Sequence, residues 1–332
     1  MANLFKPRLQ YKPFEYPEYD INGWMPQSQA HWMHTEISMQ ADLKDWNERL
    51  LPHEKNLVGN ILLGFAQTEC AVGDYWTELV NRWFPKWEIK EMAKAFGYFE
   101  TIHAKAYSYL NETLNLEDFE AFLHEPTTAA KFDLLVQTKN NYTPEDLSFY
   151  SEAREDVARS LAIFSAFAEG VSLYSSFAVL YSFQLRDLLK GIGQQMKWSV
   201  RDESLHSRMG CKLFNHMCSE YPELRGLVKD KVEEAANLMV SMELAFIDKM
   251  FEMGDLDNLK KDDLKEFIKK RANEKLVELG YLPIFHYDKE MAENLDWFYH
   301  LTGGATHTDF FVIRPTDYSK AGSHEDWDNI WN

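Results

Sequence analysis

Three cysteines in 332 residues, Cys70, Cys211 and Cys218, are an odd count with no Cys-x-x-Cys pair. Neither a disulfide framework nor a thiolate zinc site is therefore indicated, and the three read as reduced core residues. Glycine and proline are also sparse, at 15 and 11 residues, too few turn-formers for a β-sandwich or a disordered chain. No apolar run approaches the roughly 18 residues that a membrane span needs, and neither end shows a basic-then-apolar leader. Positive charge is in deficit: the net charge is −18, and such a surface repels phosphate backbones. A soluble, cytoplasmic protein with no nucleic-acid or membrane partner is expected. No glycine-rich phosphate loop is visible.

What is present is a chain 45% hydrophobic, with apolar residues at helical spacing over long stretches. Residues 1–30 carry prolines at 7, 13, 17 and 26 and read as an extended arm packed on the body rather than a helix. The body, 31–312, is expected to be helical. One long helix runs from Leu51-Pro52-His53-Glu54-Lys55 to about Val80, and Trp83-Phe84-Pro85-Lys86 breaks it before a second from Glu88 to Leu110. A shorter helix with connections is expected over 111–144, then a long helix from Glu145 to Leu185. Gly191 and Gly193 mark a loosened region before a helix over 195–218, and amphipathic helices over 223–252 and 260–279 close the body. Residues 313–332 are polar but contain Tyr318, Trp327, Ile330 and Trp331, a mixture suited to a tail that docks on a partner.

Two Glu-x-x-His pairs stand out, Glu100-Thr101-Ile102-His103 and Glu203-Ser204-Leu205-His206. Spacing of i,i+3 puts each carboxylate and imidazole on one helix face. Counting back 31 residues from Glu100 reaches Glu69, and 34 from Glu203 reaches Glu169, each in an apolar or small-residue segment. The midpoint of Glu69 and Glu100 falls beside Pro85, so two antiparallel helices would bring both to one depth. The second midpoint, near Arg186, precedes the glycines and needs an irregular turn. An isolated glutamate on a helix usually faces solvent. Six donors in register, one Glu from each of two helices and a Glu-x-x-His from each of two others, match instead the ferritin-like dinuclear pattern. Four carboxylates nearly neutralise two divalent cations and two imidazoles complete the set; without cations, burial and mutual repulsion would make the arrangement untenable. The expected fold is all-α, a ferritin-like bundle around a dimetal centre.

With these residues in order, the chain from Trp32 onward resembles the radical-generating small (beta) subunit of class I ribonucleotide reductase. The resemblance rests on Leu51-Pro52-His53-Glu54-Lys55, Glu69, Glu100-Thr101-Ile102-His103 followed by Tyr107, Glu169, and Arg201-Asp202-Glu203-Ser204-Leu205-His206. It implies a cytoplasmic homodimer that activates oxygen or a reduced oxygen species. The oxidising equivalent would pass to a catalytic large subunit making deoxyribonucleotides for DNA replication. It implies metal ligands Glu69, Glu100, His103, Glu169, Glu203 and His206, a radical at Tyr107, and transfer through His103, Asp202 and Trp32 to Tyr318 in the tail. Trp24 and Trp46 rival Trp32 for that position.

One departure is Glu69, where the commonest members carry aspartate; glutamate there resembles the manganese-using subclasses, Mn/Mn or Mn/Fe. Metal identity, with Fe/Fe a further option, and storage on Tyr107 or on the metals both stay open. The alternative enzyme is a dimetal ligand-binding oxidase of the same fold, in which a tyrosine for a crosslink stands five residues before the third carboxylate; this chain has Phe164. Iron storage and a non-catalytic interaction scaffold are further rivals, opposed by the chain's length, its tail and the complete donor set.

Overall fold

The computed structural model describes residues 3–65, 69–116 and 141–302. Among these the chain is helical, and its one pairing of extended type is the isolated bridge Leu256–Leu259. The expected helix over 111–144 lies mostly outside the described residues, as does the tail from 313 with Tyr318.

Within the segment expected to be an extended arm, the part over 20–29 is helical instead. Leu4, Phe5 and Tyr19 are buried against the body, but Asp20–Trp24 is wound as a π-helix and Met25–Gln29 as an α-helix, together α1. Pro17 accepts from the Ile21 amide at 2.9 Å, a position where its own missing N–H leaves no gap. The wider π winding then leads into Pro26, which sits in the opening turn of the α-helical part and needs no i−4 partner there.

Two helical hairpins form the core. In the first, α3 (Pro52–Phe65) leads towards α4, which starts at Glu69–Asp74, widens to π over Tyr75–Val80 and ends at Asn81–Trp83. Helix α5, Trp87–Leu114, returns antiparallel and stops where Asn115 turns left-handed at φ 52°. Met92, Phe96, Phe99, His103, Tyr107 and Leu110 form its buried stripe. Helices α4 and α5 approach closely at two glycines. A Cβ on Gly97 would stand 2.4 Å from Thr77 Cγ2 and 3.0 Å from the Gly73 carbonyl, so the hairpin closes tightly just before Glu100.

The second hairpin is built differently. The single helix expected over 145–185 is α6 (Pro144–Phe149), then α7 (Ser151–Ile163, π-wound over Phe164–Ala168), then a non-helical turn at 169–173, then α8 (Tyr174–Ser182). A 3-10 turn over Phe183–Arg186 and left-handed Asp187 and Leu189 reverse the chain into α9, Lys190–Glu220. The reversal thus falls beside Arg186, where the Glu169–Glu203 midpoint lies, and is made by the irregular turn expected there. Gly191 and Gly193 do not loosen the chain but lie in the first turn of α9. There they admit side chains: a Cβ on Gly193 would meet Gln184 Nε2 at 2.1 Å, and one on Gly191 would meet Asp42 at 2.7 Å. Asp42, on α2 (Gln40–Glu48), accepts from the amides of Gly191 and Ile192 at 2.9 and 2.8 Å. Asp45 accepts from Leu189 at 3.0 Å. The open N–H groups of α9 are thus capped from another element by negative charge. Helices α10 (Glu223–Met250), α11 (Lys261–Glu278), α12 (Lys289–Glu293) and α13 (Asp296–Thr302) complete the body.

Candidate metal centre

Glu69 on α4, Glu100 and His103 on α5, Glu169 at the end of the π turn of α7, and Glu203 and His206 on α9 are each at most 1% exposed. They converge in two overlapping sets. Glu69, Glu100, His103 and Glu203 offer ligand atoms within 4.8 Å of one another, as do Glu100, Glu169, Glu203 and His206. Glu100 and Glu203 belong to both sets, whereas each remaining donor belongs to one, the pattern of two bridging carboxylates between two cations. His103 Nδ1 lies 3.0 Å from Glu100 Oε2 and 2.9 Å from Glu203 Oε1. His206 Nδ1 lies 2.7 Å from Glu100 Oε1 and 3.7 Å from both Glu169 Oε2 and Glu203 Oε2.

Most of this proximity is not hydrogen bonding: His103 Nδ1 pairs with Glu100 Oε2, but most of the other donor atoms have no such partner. Both oxygens of Glu69 and of Glu203, Glu100 Oε1, Glu169 Oε2 and His206 Nδ1 are buried without an aligned hydrogen-bond partner. Native interiors avoid such orphans. Buried carboxylate oxygens left without donors, all within 4.8 Å of one another in each set, are what a cation would satisfy.

Protonation of Glu69, Glu100, His103, Glu203 and His206 makes the same argument. Burial, then the Glu100 charge, pushes Glu69 well above the usual carboxylate range, and burial with Glu100 and Glu169 does the same to Glu203. Burial also opposes ionisation of Glu100, but His206 and His103 outweigh it and hold Glu100 at about 2. Burial disfavours the charged imidazoles, yet Glu100 draws His206 up to about 9 and, with Asp202 and Glu203, raises His103 well above its ordinary value. A buried set that must take up protons to relieve its own charge is one that divalent cations with oxygen and nitrogen preference fit.

Around this set the outward imidazole nitrogens are anchored. His103 Nε2 lies 3.3 Å from Asp202 Oδ2, and Trp32 Nε1 donates to the same oxygen at 2.7 Å. His206 Nε2 lies 3.0 Å from Gln27 Oε1, and Gln27 Nε2 donates to Asp202 Oδ1 at 3.1 Å. Arg201 donates to Asp202 at 3.2 Å. Of the three tryptophans weighed from sequence, Trp32 is the one in contact with Asp202; Trp24 is 39% exposed and Trp46 packs against Lys55. The Trp32 ring stacks 5.8 Å from His103 and packs 5.1 Å from Trp198.

Tyr107 is buried, 6.2 Å from His103 between ring centroids and 4.7 Å from Phe65. Burial and the nearby Glu69 charge raise its phenol well above the ordinary value. The nearby Ser199 hydroxyl pulls the other way, but no aligned hydrogen bond joins the two. Phe164 stacks on Tyr75 at 3.5 Å.

Sequence reasoning missed three contributors. Trp76 Nε1 donates to Glu169 Oε1 at 2.6 Å; it stands seven residues, two turns, beyond Glu69, and that spacing is a usable signal. Gln27 reaches the centre from α1, and Arg271 donates from its Nε to the Gly170 carbonyl at 2.6 Å with its guanidinium 3.3 Å over the Tyr174 ring. Neither is announced by any local pattern.

Comparison with known proteins follows this geometry. Residues 8–293 match the family model described as ribonucleotide reductase, small chain. A probable ribonucleoside-diphosphate reductase small subunit of Invertebrate iridescent virus 3 is 35% identical, over 98% of this chain and 88% of its own length. The ribonucleoside-diphosphate reductase subunit beta of Chlamydia pneumoniae is 24% identical over 95% of this chain and 91% of its own. Among solved structures, the dimanganese(II)-NrdF of Streptococcus sanguinis superposes with TM-score 0.71 at 20% identity, covering 87% of this chain and 99% of the other.

Proposed function

The chain belongs to the ribonucleotide reductase small-chain family, and on that premise we propose that it is the small subunit of a ribonucleoside-diphosphate reductase whose buried centre holds two metal ions. Glu100 and Glu203 would bridge the pair, with Glu69 and His103 on one ion and Glu169 and His206 on the other. The single observation that carries this is the two overlapping donor sets sharing those two carboxylates. When bound, the metals supply oxidising power derived from oxygen or a reduced oxygen species.

The chain's own residues do the rest. The bundle excludes water from the centre. Asp202 accepts the Nε2 proton of His103, so Nδ1 keeps its lone pair for a metal. The same carboxylate holds Trp32 by its indole N–H, so His103, Asp202 and Trp32 form one hydrogen-bonded line leading away from the centre. We assign radical transfer to that line, with Tyr318 in the 313–332 tail as the next relay towards the catalytic large subunit. That assignment comes from family resemblance. Among the described residues no helix is long and apolar enough to cross a membrane. A cytoplasmic homodimer with no nucleic-acid partner is the form proposed.

Glu69 and the likeness to a dimanganese(II) protein support manganese, as Mn/Mn or Mn/Fe, over Fe/Fe. The test is metal analysis with electron paramagnetic resonance on aerobically purified protein, then ribonucleoside-diphosphate reduction with and without the large subunit, using the full chain and one ending at 312. Two metals per chain and turnover that needs both the large subunit and the tail are expected. Substrate oxidation without a partner would instead favour the ligand-binding oxidase. Tyr107→Phe locates the stored oxidising equivalent: loss of an organic radical signal together with turnover places it on Tyr107, and retained turnover places it on the metals.

A further inference from the structure

We propose that Gln27 is a positioning residue that ties the two halves of the centre together and makes α1 part of the metal-binding unit, so that metal loading and docking of α1 are one coupled event. The proposal rests on the two-metal reading above.

Gln27 is fully buried and its amide has two different ends. The carbonyl faces His206 Nε2 at 3.0 Å and the NH2 donates to Asp202 Oδ1 at 3.1 Å. Reversing the amide would set its oxygen against the Asp202 carboxylate, so Asp202 fixes the orientation. The Gln27 carbonyl must then accept the Nε2 proton of His206, as Asp202 Oδ2 accepts that of His103. Both imidazoles are left with Nδ1 unprotonated towards the carboxylates. A closed line, His103 to Asp202 to Gln27 to His206, thus joins the two donor sets from behind. Three of its four members stand on α5 and α9, but Gln27 arrives from α1.

Two further contacts show that α1 has one seat. A Cβ on Gly23 would meet Met92 Sδ at 2.7 Å and Met209 Cε at 3.3 Å, so α1 lies directly on α5 and α9. Arg201, next to Asp202, donates to the Ala30 carbonyl at 2.7 Å. Lifting α1 would leave the outward sides of Gln27 and Asp202 without their mutual bond and His206 without an acceptor. Because coupling is reciprocal, whatever docking contributes to metal affinity, metal contributes to docking.

The experiment combines Mn(II) titration with backbone hydrogen exchange on the full chain, as wild type, Gln27→Leu and, as a control on the exposed face of the same helix, Gln29→Leu. In the wild type and in Gln29→Leu, two equivalents of Mn(II) should bind and slow exchange over residues 20–29. In Gln27→Leu the slowing should be lost and both equivalents should bind roughly tenfold or more weakly, the usual range for losing such a partner. Binding of two equivalents to wild type with no change over 20–29 overturns the coupling and leaves the two-metal reading standing. Weakening of the His206 half alone overturns the tie between halves. Wild type that takes up no Mn(II) sinks both readings, and if Gln27→Leu fails to fold, the wild-type exchange result decides.

Discussion

In the first hairpin, Glu69 and Glu100 reach the centre through contacts internal to that hairpin: a break at Phe84–Pro85–Lys86, a close helix approach at Gly73 and Gly97, and two helices that run antiparallel between them. In the second, Glu169 sits where helix stops, and almost everything that holds it comes from elsewhere. Trp76 of α4 binds its carboxylate and Arg271 of α11 holds the next carbonyl; from within the hairpin, Ser207 of α9 donates to the Ser165 carbonyl at 2.6 Å. Asp42 and Asp45 of α2 cap the return helix. The two halves present matching donors, yet one is self-positioned and the other is positioned by its neighbours.

The sharpest break of the comparison is at the donors the halves share. Glu203→Ala or Glu100→Ala should abolish tight binding of both metals, a loss of 100-fold or more in each affinity, on the order of 3 kcal/mol per site. Glu69→Ala or Glu169→Ala should leave one tight equivalent. Counting bound Mn(II) by elemental analysis after desalting separates the cases, and two retained equivalents in Glu203→Ala would refute the bridging assignment.

Removing the metals is the next largest perturbation. If each ion is held at about 100 times its dissociation constant, each withdraws roughly 2.7 kcal/mol of stabilisation on leaving, and with both removed a chain of this size should melt on the order of 8 °C lower. Chelator-treated and metal-loaded protein compared by scanning calorimetry measures this. Hydrogen exchange should rise more over residues 169–173 than over 97–103, because the borrowed half has fewer contacts of its own; equal rises would erase the distinction between the halves.

That distinction also explains what could be read from sequence. The first hairpin was legible because its determinants are local: a proline-bearing break, apolar residues at helical spacing and a glutamate on each arm. The donors of the second were legible too, since Glu203-x-x-His206 is local and Glu169 stands alone in an apolar stretch. Its backbone was not legible. The turn after Glu169 is held at the Gly170 carbonyl by Arg271, about a hundred residues later, and no periodicity carries information over that separation. The helical form of α1 and the reach of Gln27 were hidden for the same reason, since prolines at 17 and 26 argue locally against a helix that tertiary packing permits.

Arg271→Met tests the borrowed half by itself. The Gly170 carbonyl loses a donor, which costs about 1–3 kcal/mol when buried, but removing a buried cation offsets much of this. Global stability should therefore change little. Nothing offsets the loss of aim at Glu169, so the half containing Glu169 and His206 should weaken roughly tenfold, about 1.4 kcal/mol, while the half containing Glu69 and His103 keeps its affinity. A Mn(II) titration resolving two equivalents reads this directly, and equal weakening of both would count against independent positioning.

The smallest effect expected concerns the outer end of α1. His216 Nδ1 pairs with the Tyr19 hydroxyl at 2.7 Å, and Nε2 lies 3.3 Å from Glu18. Burial lowers the affinity of this imidazole for a proton; Glu18 and Glu220 oppose that, and Lys212 reinforces it. A histidine whose folded value is depressed favours folding in its neutral form. Its contribution is complete above the unfolded value of about 6.5 and is lost as pH falls through that value towards the folded one. Between pH 7.5 and 5.5 the melting temperature of metal-free wild type should therefore fall by about 1 °C more than that of His216→Gln, which keeps a partner for Tyr19 but does not titrate. Parallel pH profiles for the two proteins would show that this end of α1 is held without any contribution from the charge state of His216.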